Sequence, residues 1–107
     1  MPSKDRQQLL VASLRRLVRR GAESHLRRIV QKARSEDVAE AMAELLDREA
    51  RLVFRMILEE PERAAEVCAA YDTGRVPNLL AELDAGELHP VFALLASDDA
   101  ADILSQL

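Results

Sequence analysis

Aromatic side chains are scarce in this sequence. Phe54, Phe92 and Tyr71 are the whole supply, and tryptophan is absent. The core must therefore be aliphatic, and three rings are a poor stock for the walls of a carbohydrate-cleaving cleft. The single cysteine, Cys68, excludes an internal disulfide and fits a reducing compartment; its expected place is that of a small buried hydrophobe. No apolar run approaches the roughly 20 residues that cross a bilayer, and no stretch has a signal-peptide layout. Phosphate-loop, dinucleotide, zinc and EF-hand patterns are also missing. The two histidines, His25 and His89, stand 64 residues apart in different segments, and nothing in the spacing pairs either with Cys68 as a nucleophilic couple. Enzyme chemistry has little to stand on.

What is present favours helices. The chain has 107 residues, 49% of them hydrophobic and mostly Ala and Leu, with only three glycines. That composition and length suit one all-α domain with a real core. The net charge of -4 hides an asymmetry. Residues 1–34 carry ten Lys or Arg against two acids, whereas residues 35–107 carry five Arg against seventeen acids. The two parts are expected to attract each other or to seek opposite partners.

Residues 1–20 read as a basic amphipathic helix, with Leu10, Leu14, Leu17 and Val18 on one stripe and Arg16, Arg19 and Arg20 beside it. Gly21 reads as its C-cap, and 22–33 as a second helix on Leu26, Ile29 and Val30. From Ser35 onward a period emerges. Segments start at Ser35, Asp47, Glu59, Thr73, Ala85 and Ser97, 12 or 14 residues apart, and each begins polar and ends aliphatic. Helices of that length are marginal alone and persist by covering their neighbours. The expected fold is all-α, a right-handed superhelix or solenoid-like stack of about eight short helices, with 21–107 as the repeat and the whole chain one structural domain. An irregular or globin-like bundle is the alternative.

Local expectations follow. Ser35 and Ser97 are placed to cap helix starts. Pro61 and Pro77 fall early enough in their helices to be tolerated. Pro90 should force a late start, a 3₁₀ turn or a bend near His89. Tyr71 should pack its ring. The basic section, Arg15, Arg16, Arg19, Arg20, Arg27, Arg28, Lys32 and Arg34, offers an electrostatic latch onto the acidic body or a homodimer contact. An anionic membrane surface is a further option for the amphipathic first helix. Nucleic acid is disfavoured, since no recognition motif accompanies the charge.

The motifs "EDVAEAMAELL", "ERAAEVCAAYD" and "DDAADILSQL" resemble the cytosolic N domain of MgtE-type magnesium transporters, over roughly residues 20–107; the middle domain of the flagellar motor switch protein FliG has a related helical-repeat look. The resemblance implies a non-catalytic, cytoplasmic regulatory domain. It would be followed by CBS domains and a pore at the cytosolic face of the inner membrane. Magnesium gathering between the acidic surfaces of the N and CBS domains, in the same or a partner chain, would favour a closed pore. The resemblance places the acidic positions on Glu66, Asp98 and Asp102, with Asp99 as a neighbour. Asp98 and Asp102 are one helical turn apart. So few carboxylates suit a weakly held, hydrated Mg2+ completed by a partner. The competing account of the same residues is a helix start stabilised by its dipole. A stand-alone scaffold joining protein partners, with no metal role, is the alternative function. Cys68, Tyr71, "TGRVP" and "ELHP" depart from the family's usual residues. A chain ending at Leu107 contains neither CBS domain nor pore and cannot by itself carry magnesium.

Overall fold

The alternation of polar starts and aliphatic ends becomes a series of short helices. In a computed structural model, residues 2–72 and 74–95 are described, with side chains from Arg6 onward. The helices are α1 (Pro2–Arg20), α2 (Glu23–Lys32), α3 (Ser35–Met42), α4 (Asp47–Ile57), α5 (Pro61–Ala70), α6 (Val76–Leu80) and α7 (Ala85–Leu94). The described residues form an all-α structure of these seven helices, with no strand. The segment from Ser97, which would supply the eighth helix, lies outside them, as does the proposed cap at Ser97.

The odd-numbered helices contact one another in succession, α1 on α3, α3 on α5 and α5 on α7. Among the even-numbered helices, α2 meets α4 and α4 meets α6. Contacts of α1 with α2 and α4, and of α4 with α3 and α5, join the two rows. The core between them is aliphatic, as the scarcity of rings demands. Leu14, Val38, Met42, Val53, Val67, Val76 and Val91 are buried, with Phe54 as its large aromatic member. Cys68 and the Tyr71 ring are buried too, and the Arg75 guanidinium lies 5.5 Å above that ring.

Gly21 ends α1 as its position suggested. It holds φ of 69°. Its amide donates to Val18 O at 3.2 Å and the Ala22 amide to Leu17 O at 3.1 Å, the paired bonds of a Schellman turn. A Cβ there would meet nothing within 4 Å, so only backbone strain opposes a side chain. Gly21→Ala should therefore lower stability by about 1 kcal/mol, read as a shift of the urea midpoint with an unchanged slope.

Two local expectations are corrected. Ser35 does not cap α3. It is the first helical residue, the N-cap is Arg34, and no side chain caps that start; the Ser35 hydroxyl is engaged by α5 instead. Pro90 does not delay α7. Asp84 Oδ1 accepts from Glu87 N at 2.8 Å while Asp84 N donates to Glu87 Oε1 at 3.3 Å. This capping box fixes the start at Ala85, and buried Val91 anchors the helix beyond the proline. The missing Pro90 amide deprives the carbonyl of Gly86 of a partner, but Gly86 is exposed and water can replace it. Pro61 and Pro77 sit in the first turns of α5 and α6 as expected.

Candidate functional site

Of the acidic positions singled out in the sequence, Glu66 alone falls among the described residues; Asp98, Asp99 and Asp102 lie outside them. Glu66 projects from the exposed side of α5, whose opposite side buries Ala64, Ala65, Val67 and Cys68. Its Oε1 accepts a hydrogen bond from Ser35 Oγ at 3.0 Å. The same hydroxyl accepts a long bond, 3.5 Å, from Arg63 Nε.

Arg63 is the centre of this arrangement. It stands one turn before Glu66, so both leave α5 towards the α2–α3 joint. Its guanidinium donates to Val30 O at 2.8 Å and Ala33 O at 2.6 Å, while Glu60 lies 3.9 Å away. Val30 and Ala33 carry carbonyls from the end of α2, which have no intrahelical donor to satisfy them. A planar, permanently charged fork is suited to closing that end. The carboxylate of Glu66 is thereby held, through Ser35, against a joint that Arg63 locks. Sequence reasoning identified Glu66 but not Arg63 or Ser35 as its supports. The one local signal was the three-residue spacing of Arg63 and Glu66.

The same device recurs. Arg75 donates to Ala43 O at 2.7 Å, at the end of α3, and Arg51 to Asn78 O at 3.3 Å, in α6. The basic amino-terminal helices clasp the acidic body, as the charge asymmetry suggested. Arg19 Nε meets Glu49 Oε2 at 3.2 Å, and Arg27 grips Glu59 with two bonds of 2.8 and 3.2 Å. Glu49 is the buried charged residue of the described core. Its second oxygen accepts from the Leu46 amide at 3.1 Å at the start of α4.

Burial pushes the Cys68 thiol up to about 12, so it is no thiolate nucleophile at neutral pH. His25 and His89 are exposed on α2 and α7, apart from the buried Cys68. Among the described residues no three His, Cys, Asp or Glu side chains gather as metal ligands. Glu66 supplies one carboxylate with one oxygen already hydrogen-bonded. Magnesium keeps several waters and takes one or two carboxylates, so Glu66 fits a water-bridged contact and no self-contained cage. No described helix is long and apolar enough to cross a membrane.

No curated protein matches the chain, and no solved structure does. Residues 33–107 match the family model described as the MgtE intracellular N domain. The matched segment begins later than the resemblance suggested, so α1 and α2 precede it and α3 to α7 lie within it. Since that match covers well over half of the sequence, the chain belongs to the MgtE intracellular N-domain family, a non-catalytic regulatory module.

Proposed function

We propose that this chain is the intracellular regulatory domain of a magnesium transporter or channel, sensing magnesium through an acidic surface shared with CBS domains and thereby gating a pore. The family match carries the reading. The exposed Glu66 carboxylate, oriented by Ser35 on a joint locked by Arg63, supports it, because a fixed carboxylate presents charge at a defined place. Asp98 and Asp102, with Asp99 beside them, complete the acidic surface in this reading. Two acidic faces repel at low magnesium, and a hydrated divalent ion between them removes that repulsion. The site is weak until the partner arrives, and it operates at the cytosolic face of the inner membrane.

The helices act as a solenoid-like, right-handed superhelix in this proposal, a scaffold that sets the spacing of acidic residues. Supporting it, the side-chain bonds between distant segments join residues a nearly constant 27 to 33 positions apart. That constancy is what a repeated unit produces.

Titration of the chain with magnesium, alone and with a paired CBS fragment, tests the proposal. Amide resonances near residue 66 and across 98–102 should move in the millimolar range, more steeply with the partner present. Glu66→Gln should weaken the magnesium-dependent association severalfold. Unmoved spectra in both arms would remove the metal role. Association that ignores magnesium would favour the second reading, a scaffold for protein partners or for a homodimer. The exposed Leu46 and Leu52 favour that reading.

A further inference from the structure

The basic amino-terminal helices divide their cations between two tasks. Arg15, Arg19 and Arg27 hold the body of the domain, on Glu44 O, Glu49 and Glu59. Arg16, Arg20, Arg28 and Lys32 are exposed and make no ion pair among the described residues. The helical period sorts them. Leu9, Arg16 and Arg20 stand seven and four residues apart on one line of α1, opposite the side that buries Val11 and Leu14. Arg28 and Lys32 are one turn apart on α2, opposite the buried Leu26 and Val30. α1 packs on α2, α3 and α4, and α2 on α1 and α4. Both stripes are therefore left on the outer side of the pair, at the amino-terminal end of the two rows. Glu23 is the one acid between Arg6 and Arg34, and it faces the hollow lined by Leu52 and Met56 of α4. Leu9, 70% exposed, is the large apolar member of the outer surface.

We propose that this outer face of the α1–α2 pair docks on an anionic phospholipid surface. A bilayer spreads its phosphates over a plane. Such a plane requires no pocket and no fixed ligand geometry, only cations displayed together on one side of a rigid body. Leu9 separates this partner from other polyanions. A leucine standing among cations gains from the acyl boundary under the headgroups. It gains nothing from the phosphates of a nucleic acid, whose unpaired bases would call for aromatic rings, and residues 1–34 contain none. The mode is adhesion and not insertion, because the apolar stripe of α1 already covers the core through Val11, Leu14 and Leu17. The rest of the chain orients the contact. Residues 35–107 carry seventeen acids against five Arg, so the same membrane repels the body and turns its acidic surface outward. The docking helices precede the family-matched segment, and the proposal does not depend on magnesium sensing.

The test is co-sedimentation of the 107-residue chain with vesicles of phosphatidylcholine, alone or mixed equally with phosphatidylglycerol, in chelator so that magnesium plays no part. The mixed vesicles should retain the chain at low salt and release it as salt rises, and phosphatidylcholine alone should not retain it. Arg16→Ala combined with Arg20→Ala should weaken retention about 30-fold, roughly fivefold for each cation. Leu9→Ala should weaken it severalfold while leaving binding to a DNA duplex, a purely charged comparison, unchanged. All three side chains are exposed, so thermal unfolding should stay as it is. No retention at low salt, equal retention on phosphatidylcholine alone, or retention undiminished in either variant would overturn the proposal. So would a DNA duplex bound more tightly than the mixed vesicles. Sedimentation velocity without vesicles examines the remaining occupant: assembly at low salt that the double variant abolishes would assign the face to a second copy of the chain and overturn the lipid.

Discussion

Phe54→Ala should destabilise the domain by about 3–5 kcal/mol, the largest loss expected of any single substitution considered. The side chain is 1% exposed in α4, and α4 touches α1, α2, α3, α5 and α6. Removing the ring opens a void beside the helix that touches five others. Few residues can refill it, because the other buried hydrophobic side chains, Tyr71 and Cys68 apart, are aliphatic and already packed. Against a total stability of roughly 5–15 kcal/mol for a domain of this size, such a loss would leave a visible unfolded population at body temperature. Urea unfolding followed by far-ultraviolet circular dichroism measures it. Phe54→Leu, which keeps most of the volume, should cost less than about 1.5 kcal/mol, and the contrast separates cavity formation from any general intolerance of change.

Arg63→Ala should cost about 2–3 kcal/mol, unusual for an arginine in a surface-rich domain. Exposed ion pairs contribute about 0–1 kcal/mol, and the Glu60 contact at 3.9 Å belongs to that class. The two carbonyl bonds are different. They are short, charge-assisted and made by a side chain that is 18% exposed. Without them the last turn of α2 loses two donors and part of its compensating positive charge; each bond of this kind contributes about 1.5–3 kcal/mol net, and water reaching the freed carbonyls recovers part of the sum. Arg63→Lys should recover only part of the loss, since one ammonium cannot span Val30 O and Ala33 O as the fork does. Hydrogen exchange adds a local readout: the amides of α2 and the opening of α3 should lose protection before those of α6 and α7.

The series of helices was legible because its signals are local. Polar residues at Ser35 and Asp47 mark starts, the spacing alone marks Ala85, and aliphatic pairs mark what must be covered; these three helices begin where the period placed them. The starts at Glu59 and Thr73 were early by a few residues, since Pro61 and Pro77 sit in the first turn and pull each helix start towards themselves. The roles of Ser35 and Arg63 were not legible. A serine ahead of acids looks like a cap, and only contact with a helix 31 residues away turns its hydroxyl to Glu66. Arg63 looks like a solvated charge until α5 lies across the end of α2. Pro90 misled for a related reason. The capping box at Asp84 and the burial of Val91 outweigh one lost amide bond, and neither strength is visible from the proline itself. Gly21 was legible because the left-handed conformation is a property of its own backbone.

The uniform reach of the cross-links between segments also bears on how the chain acquires its shape. Bonds such as Arg19–Glu49, Ser35–Glu66 and Arg55–Glu87 span 30, 31 and 32 residues, so each closes a loop of one similar size. Loop-closure entropy grows only with the logarithm of length, so these cross-links between described residues cost nearly the same to close. An all-helical arrangement joined by closures of this size groups with the faster-folding architectures rather than with the all-β ones.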